Sequence, residues 1–174
     1  RGETGKEQDM KLYWAKVKED ARIPTRRRED AGYDLYPCFE EKWLEIGPGK
    51  TEKVPLGIAS AFDPGYVIFL KERGSTGTKG IAQRSGVIDS GYRGEYLCPV
   101  TNLNEKPLRI MKQEALDAMP EAEKEQFVLY PYEKALCQAV LLPVPEPETE
   151  ELSWQALQEI RSERGAGGFG SSGK

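Results

Sequence analysis

Residues 43–70 read WLEIGPGKTEKVPLGIASAFDPGYVIFL, and this stretch decides the class of fold. Short runs rich in Val, Ile, Leu, Tyr and Phe are separated by turn signals, of which Gly47-Pro-Gly49 and Asp63-Pro-Gly65 are the clearest. Similar punctuation recurs roughly every 8–12 residues from position 11 to about position 108, which is typical of an antiparallel sandwich or barrel. The sequence therefore predicts a mainly β domain.

Eight runs of residues are predicted strands of this domain, which we expect to span residues 11–143 after a loose N-terminal arm, residues 1–10. Between residues 112 and 125 the composition changes to good helix formers, so a short helical insertion is predicted there. Pro120 must start, kink or break a helix within it. The predicted strands are residues 12–17, 43–46, 51–54, 58–62, 66–70, 95–102, 108–111 and 135–142.

The C-terminal stretch, residues 144–174, has the composition of an arm that leads away from the sheets. Residues 144–150 are acidic and proline-rich, which predicts an extended linker. Ser153 can cap a short helix that runs to position 160, and that helix has one apolar face. The residues predicted on this face are Leu152, Ala156 and Ile160.

Two glycine-rich segments resemble nucleotide-binding patterns that they do not fulfil. The run Gly165-Ala-Gly167-Gly-Phe-Gly170 satisfies G-x-G-x-x-G, but no predicted strand precedes it, so it cannot build a dinucleotide-binding fold. Residues 74–79 contain part of a phosphate-loop pattern at the wrong spacing. Both segments nevertheless offer backbone N–H groups beside Ser, Thr or Arg, which suits them to binding phosphates.

Charge and hydropathy narrow the class of partner. The net charge is −4, from 29 acidic and 25 basic residues that are mixed along the chain, so no broad cationic field exists to hold a nucleic acid polymer. No apolar run approaches the ~20 residues that a membrane-spanning helix needs, and no secretory signal is recognisable. We therefore expect a soluble, cytoplasmic protein that acts on a small molecule.

The absence of histidine restricts the chemistry. The chain contains no histidine, so every mechanism that depends on an imidazole base or a histidine metal ligand is excluded. A general base must then be a carboxylate, lysine, tyrosine or cysteine. Cys38, Cys98 and Cys137 are odd in number and widely separated in strand-like contexts, so they are predicted to be reduced core residues.

Five segments follow one another in a fixed order between Ala31 and Gly173. They are Ala31-Gly-Tyr-Asp34-Leu35, Arg73-Gly-Ser75-Thr-Gly77, Gly86-Val-Ile-Asp89-Ser-Gly-Tyr92-Arg-Gly94, Leu136-Cys-Gln138-Ala-Val140 and Arg164-Gly-Ala-Gly-Gly-Phe169-Gly-Ser171-Ser172-Gly173. Together they resemble the five motifs of the trimeric dUTPase family. The resemblance implies a distorted antiparallel jelly-roll or β-barrel with a short helical insertion and a C-terminal arm.

The resemblance also implies a reaction. Members of this family hydrolyse dUTP to dUMP and pyrophosphate by attack of water on the α-phosphorus, assisted by Mg²⁺, which limits uracil in DNA and supplies dUMP for dTMP synthesis. The ion is expected to be held chiefly by the substrate phosphates and water, with Asp34 of the first segment contributing through water. Alone, that aspartate would more often be a simple turn residue at a strand end.

The second and third segments are expected to bind the phosphates and the nucleoside. In the second, Arg73, Gly74 and Ser75 form the implied phosphate turn, and Gly74 stands where the family has serine, so that hydroxyl is either missing or supplied by Ser75. In the third, Asp89 is implied as the base that deprotonates the attacking water, and Tyr92 as the ring that excludes a 2′-hydroxyl. The same third segment is also a good hairpin turn.

Further substrate contacts are implied before, within and after the third segment. Gln138 is expected to contact the α-phosphate region from a strand, and Arg164 the γ-phosphate. Phe169 is expected to stack on uracil when the tail closes over the nucleotide. The remaining implied substrate-binding residues are Gln83 in the uracil-pairing hairpin at residues 80–85, then Gly86, Val87 and Ile88 of the third segment, and Gly170, Ser171 and Ser172 in the tail.

The resemblance also predicts an assembly, and two alternatives to the hydrolase remain open. The resemblance implies a homotrimer with active sites shared between subunits, which the extended arm at 144–150 would suit. A dCTP deaminase of related fold is a second possible enzyme, although such proteins lack the complete fifth segment. A regulatory binding protein that acts through the insertion, residues 112–130, belongs to another class, but the acidic residues there are more often a solvated face.

Overall fold

The structure of the protein, a computed structural model, describes residues 10–170, and the chain divides into two compact units between residues 144 and 145. The described part of the first unit contains these strands: β1 (Tyr13–Lys16), β2 (Gly32–Leu35), β3 (Trp43–Ile46), β4 (Thr51–Pro55), β5 (Ile58–Ala61), β6 (Tyr66–Lys71), β7 (Ile81–Gln83), β8 (Val87–Ile88), β9 (Leu97–Asn102), β10 (Leu108–Met111), β11 (Val128–Pro131) and β12 (Cys137–Pro143). The helices are α1 (Gly74–Gly77), α2 (Gln113–Asp117), α3 (Glu121–Lys124) and, in the second unit, α4 (Trp154–Glu159).

The strands of the first unit form four sheets. Their orders are β1-β5, β11-β10-β3, β2-β12-β6-β8 and β4-β9-β7, and each of these sheets has two edge strands. The mainly β architecture predicted from the sequence is therefore confirmed in its jelly-roll-like form. The barrel alternative is not realised, because the sheets within residues 10–144 do not close.

All eight predicted strands are present, and β3 and β10 have the predicted bounds. Four further strands, β2, β7, β8 and β11, were not predicted. Strands β2 and β7 are three or four residues long and include Gly, Asp or Gln, so their local composition does not distinguish them from turns, and β8 has only two residues, too few to show a strand pattern. They exist because neighbouring strands supply hydrogen-bonding partners along their length.

The predicted helical insertion is present as two short helices, α2 and α3, separated at Pro120, which is the N-cap of α3. The chain then returns as β11, which pairs with β10 in parallel, with Leu108 opposite Val128. A parallel pair needs a crossover of roughly a dozen residues, and the insertion provides that length. This pair is parallel, while the other described strand pairs are antiparallel as predicted. Met119 in the crossover is buried.

The core lies between the sheets and is mostly aliphatic. Ile46, Ile68 and Ile110 are fully buried, and Cys38, Cys98 and Cys137 are buried free thiols, as the sequence predicted. Burial of Tyr96, whose hydroxyl bonds Ser60 Oγ, raises the pKa of its phenol to about 12. These residues hold the first unit together without disulfides among the described cysteines.

The second unit is described from residue 145 to residue 170. Helix α4 begins after Ser153, whose hydroxyl accepts a hydrogen bond from Ala156 N at 3.1 Å, so the predicted cap is confirmed. No residue of α4 is buried, and Trp154 and Leu157 expose large apolar side chains. None of the described helices is long and apolar enough to cross a membrane.

Candidate active site

The outer face of the sheet β2-β12-β6-β8 carries predicted site residues at both of its ends. Gln138 of β12 lies opposite Asp34 of β2 and opposite Lys71 of β6, so the three side chains share one face at one end of the sheet. Towards the other end, Ile88 of β8 lies opposite Ile68. Continuing that register by one residue places Asp89 beside Val67.

At the first end, Asp34, Arg73 and Gln138 form what we call the Arg73 cluster. Arg73 Nε lies 3.2 Å from Asp34 Oδ1, and Arg73 Nη1 donates to Ala135 O at 3.2 Å. The three residues line an open cleft of about 680 Å³ together with residues 25–27 and 29–32. Arg73 and Asp34 also line an adjacent cleft of about 400 Å³ with Ser75.

Gln138 is held in the cluster by the backbone of its neighbours. Its Nε2 donates to Glu72 O at 2.9 Å, and its side chain lies across Gly32. A Cβ at Gly32 would overlap Gln138 Oε1 and lie 2.9 Å from Gln138 Cδ, so only glycine leaves room for this arrangement. Glu72 also accepts a bond from Gln83 N at 3.2 Å, and it is a supporting residue that the sequence reasoning missed.

The phosphate turn predicted at Arg73 is a single helical turn, α1. Arg73 N donates to Thr76 Oγ1 at 3.2 Å, and the buried Thr76 hydroxyl returns a bond to Arg73 O at 3.0 Å. Ser75 Oγ lies 3.5 Å from Arg73 Nη1. Nothing lies within 4 Å of a Cβ built on Gly74, so this glycine is not required by packing within the chain.

Ser75 also contacts a buried tyrosine behind the turn. Tyr130 Oη donates to Ala135 O at 2.5 Å, and burial raises the pKa of this phenol, an effect that hydrogen bonding with Ser75 opposes. The Ser75 hydroxyl is therefore near the guanidinium of Arg73 and the hydroxyl of Tyr130. The sequence gives no signal that Tyr130 lies behind the phosphate turn, because this tyrosine is in β11, a strand that was not predicted.

At the other end of the sheet, Asp89 begins a turn that is fixed by its own neighbours. Tyr92 N donates to Asp89 O at 3.1 Å, and Tyr92 Oη donates to Glu95 O at 2.8 Å. Arg93 Nη1 donates to Ser90 O at 2.6 Å. The Asp89 side chain is exposed, so it is available to solvent and to a ligand.

The other residues predicted to bind substrate are divided between two sheets. Gln83 ends β7 and bonds Ser85 through its amide, while Val87 and Ile88 form β8 in the sheet of the Arg73 cluster. Gly86 accepts a bond from Leu70 N at 3.1 Å and so joins this hairpin to β6.

The tail in the second unit is described as far as Gly170. Arg164 Nε donates to Gly167 O at 2.5 Å, which curls the start of the tail. Phe169 is fully exposed at a φ of 51°, a left-handed conformation that a bulky residue seldom adopts. Ser171 and Ser172, which were also predicted to bind phosphates, lie outside the described residues.

Within one chain, Asp89 and the Arg73 cluster do not meet. Val67 and Lys71 are four positions apart on β6, which separates the two ends by about 13 Å along the strand, and two strand spacings add about 10 Å across it. Asp89 and Gln138 are therefore roughly 16 Å apart. In residues 10–170 no group of three or more Cys, Asp or Glu could hold a metal ion.

The fold and the cluster define a class: a jelly-roll-like β protein with an open cleft lined by arginines and carboxylates, and with a glycine-rich C-terminal arm. The family model for dUTPase matches residues 19–116. A deoxyuridine 5'-triphosphate nucleotidohydrolase from Paraburkholderia xenovorans is 34% identical over 172 residues, which cover 95% of this chain and 97% of that protein. The chain therefore belongs to the dUTPase family.

Solved structures agree with this assignment. The dUTPase of Staphylococcus bacteriophage 80alpha, solved with dUpNHpp, superposes with a TM-score of 0.72 at 26% identity, covering 94% of this chain and 99% of that one. A variant of the dUTPase from phage phi11 of S. aureus, solved with a structural Mg(II) ion, superposes with a TM-score of 0.64 at 22% identity. That match covers 82% of this chain and 96% of the phage chain and supports the fold.

Proposed function

We propose that this chain hydrolyses dUTP to dUMP and pyrophosphate at a site that two or more copies build together. The chain is a dUTP diphosphatase by family. The observation that carries the shared site is the position of Asp89 and the Arg73 cluster at opposite ends of one sheet face, roughly 16 Å apart within a chain.

The proposed chemistry divides between the two ends. Asp89 acts as the general base on the water that attacks the α-phosphorus, and such a base must lie within hydrogen-bonding reach of that water. Gln138 contacts the same α-phosphate region, while Arg73 and Arg164 neutralise charge on the phosphate oxygens. Because Asp89 and Gln138 serve one phosphorus atom, a distance of roughly 16 Å requires that they come from different copies.

The middle of the same sheet face suits contact between copies. Phe69 lies opposite Val140 on one side and opposite Val87 on the other, so these three side chains share the outer face. Phe69 and Val87 are exposed. If this apolar centre packs against a neighbouring copy, the Asp89 end of one chain approaches the Arg73 cluster of the next. A closed homotrimer repeats this contact three times.

Mg²⁺ belongs to the proposal through the substrate. Asp34 offers one half-exposed carboxylate that already pairs with Arg73, which fits an ion held mainly by phosphates and water better than an ion in a protein cage. When bound, the ion would neutralise charge on the triphosphate. Asp34 would orient a water of that ion, and Arg73 would keep the carboxylate in place.

The first test is pyrophosphate release from dUTP, with dTTP, dCTP and UTP as competitors and ammonia release from dCTP as the deaminase assay. Asp89→Asn should lower kcat about 10²–10⁴-fold while leaving dUTP affinity within a few-fold of wild type, because only the base is lost. The matched control is Asp63→Asn, which makes the same change at an exposed aspartate in another turn and should retain wild-type turnover. Full turnover by Asp89→Asn would remove that carboxylate from its role.

A second test asks whether sites are shared. Asp89→Asn and Gln138→Ala chains are each expected to be nearly inactive, but mixed assemblies contain sites with an intact Asp89 from one copy and an intact Gln138 from another. Random mixing in equal amounts should restore about a quarter of wild-type activity. If both residues acted within one chain, mixing would restore none, and the shared-site proposal would be abandoned.

Binding of a regulatory protein through residues 112–130 stays a prediction. Glu114, Asp117 and Glu121 are exposed, which agrees equally with a solvated face. Met119 is buried and anchors the insertion to the first unit. Deleting the insertion would also remove β11, so a charge-neutralising variant of the three exposed acids is the better probe of a partner.

A further inference from the structure

Glu72 lies at the junction between strand β6 and the phosphate turn, and the proposed reaction gives it no contact with substrate. Lys71 is the last residue of β6 and Arg73 is the N-cap of α1, so Glu72 is the one residue between these two elements. Its main-chain oxygen and its carboxylate accept hydrogen bonds from different parts of the protein. A substitution changes the carboxylate and keeps the main-chain oxygen, so the two bonds can be tested apart.

The main-chain oxygen of Glu72 belongs to the Arg73 cluster. Gln138 Nε2 donates to it at 2.9 Å. The strand register agrees with this contact, because Gln138 of β12 lies opposite Lys71, the residue that precedes Glu72. Any side chain at position 72 keeps this acceptor, so a variant of Glu72 should leave Gln138 in its place.

The carboxylate of Glu72 reaches the neighbouring sheet. Its Oε1 accepts a bond from Gln83 N at 3.2 Å, and Gln83 is the last residue of β7, in the sheet β4-β9-β7. Glu72 itself follows β6, in the sheet β2-β12-β6-β8. Both residues are half-buried, which strengthens a hydrogen bond to an ionised acceptor. The Glu72 side chain therefore connects the two sheets at the point where β7 leads into the third segment.

Residues 83–86, which we call the β7–β8 bend, are fixed to β6 at both ends. At the first end Gln83 N donates to the Glu72 carboxylate, and at the second Leu70 N donates to Gly86 O at 3.1 Å. Between them, Gln83 Nε2 donates to Ser85 Oγ at 2.6 Å. Of these three bonds, only the one to Glu72 depends on a side chain from outside the bend. That side chain is therefore the place at which the bend can be released selectively.

The β7–β8 bend ends where the main chain is open to a ligand. Gly86 is exposed, and nothing lies within 4 Å of a Cβ built on it. Main-chain N–H and C=O groups at such a place can orient a small polar ring. Such groups must stand within about 0.5 Å of their productive positions to recognise a ligand well. Release of the bend should therefore weaken recognition of a ring.

We infer that Glu72 is a positioning residue for recognition of the nucleobase: its carboxylate, through Gln83 N, holds the β7–β8 bend where main-chain groups can pair with the base of dUTP. This inference rests on the proposed function, with the base held by the hairpin at residues 80–85 and the start of the third segment. Glu72 acts through the main chain of Gln83 and touches no substrate. Its carboxylate serves the base, whereas the phosphates depend on the Arg73 cluster.

The experiment separates the base from the phosphates by using two ligands. The probe dUMP carries the base and one phosphate, whereas inorganic tripolyphosphate carries three phosphates and no base. Glu72→Ala removes the acceptor for Gln83 N, and Glu72→Gln keeps an oxygen acceptor in its place. The matched control is Asp63→Ala, because Asp63 Oδ1 also accepts a main-chain bond, from Gly65 N at 2.7 Å, in a different turn.

Amide hydrogen exchange in the ligand-free protein reports on the bond itself. The Gln83 N–H should exchange about tenfold faster in Glu72→Ala than in the wild type, because its acceptor is lost. The neighbouring Arg84 N–H donates to Pro99 O at 2.8 Å and should keep its protection, which makes it an internal control. Glu72→Gln should protect Gln83 N–H nearly as well as the wild type does.

Binding should then divide by ligand. Glu72→Ala should bind dUMP about tenfold more weakly but tripolyphosphate with wild-type affinity, so KM for dUTP should rise while kcat is largely kept. The preference for dUMP over dCMP should shrink, because displaced main-chain groups distinguish the two bases less well. Glu72→Gln should restore most of the dUMP affinity. The Asp63→Ala control should bind both ligands as the wild type does.

Four results would overturn the inference. Unchanged Gln83 exchange in Glu72→Ala would show that the carboxylate does not hold the bend. Faster exchange with unchanged dUMP affinity would show that the bend does not serve the base. Equal weakening of dUMP and tripolyphosphate would indicate a general effect on the site or the fold. A Glu72→Gln chain as weak as Glu72→Ala would make charge responsible instead of the hydrogen bond.

The wild type distinguishes failure of this inference from failure of the proposed function. A wild type that binds dUMP but does not hydrolyse dUTP would refute the proposed function, while the exchange and binding results would still decide the role of Glu72. A wild type that does not bind dUMP at all would overturn both.

Discussion

Replacement of Gly32 by alanine tests how the chain positions Gln138. The new Cβ would overlap Gln138 Oε1 and lie 2.9 Å from both Gln138 Cβ and Cδ, so the glutamine side chain must leave its place. The bond from Gln138 Nε2 to Glu72 O is then lost. Neither the displaced glutamine side chain nor the lost hydrogen bond involves Asp89.

The magnitude follows from three contributions. Loss of the hydrogen bond costs about 1 kcal/mol, and a strained rotamer costs about 1 kcal/mol. Alanine in a strand recovers about 0.5–1 kcal/mol relative to glycine. The net loss is about 1 kcal/mol, which should lower the Tm of a domain of this size by roughly 2–4 °C. Displacement of Gln138 by an ångström or more should lower kcat/KM about 10–100-fold.

The assay is pyrophosphate release together with thermal unfolding, and the matched control is Gly47→Ala. A Cβ at Gly47 would meet only the flexible Lys50 side chain at 3.4 Å, so this variant should retain wild-type activity and stability. Gly32→Ala should also add little to the loss caused by Gln138→Ala, because both act on the same side chain. Wild-type kcat/KM in Gly32→Ala would refute the positioning argument, whatever its Tm.

Two further predictions concern the phosphate turn and the core. Gly74→Ser should lower KM for dUTP a few-fold, because space exists for the hydroxyl beside Arg73 and Ser75. Gly74→Ala, the control, adds no hydroxyl and should leave KM unchanged. Equal KM values for the two variants would show that the hydroxyl has no role. The pKa of Tyr96 is about 12 in the folded state, above its unfolded value. The native state therefore keeps the phenol proton at a pH where the unfolded chain loses it. The free energy of unfolding should fall as pH rises from 10 to 12. Denaturant titrations should record a loss of about 2 kcal/mol over that range, and a decline no shallower in Tyr96→Phe would contradict this origin.

Local composition was enough to predict most of the fold. Gly47-Pro48 after β3 and Pro107 before β10 mark one observed bound of each strand, because these residues do not continue a sheet readily. Ser153 was identified as a cap for the same local reason. Strand β11 was not predicted, because the insertion has the composition of a helical segment and no local signal near Val128 specifies a parallel partner strand.

The sequence by itself determined the family, the order of the five segments and the residue types that could do the chemistry. Tertiary structure alone decided that Gln138 crosses Gly32, that Glu72 links Gln138 to Gln83, and that Asp89 lies at the opposite end of the sheet from Arg73. The physical reason is that local signals act over a few residues, whereas strand register sets distances between residues far apart in the chain.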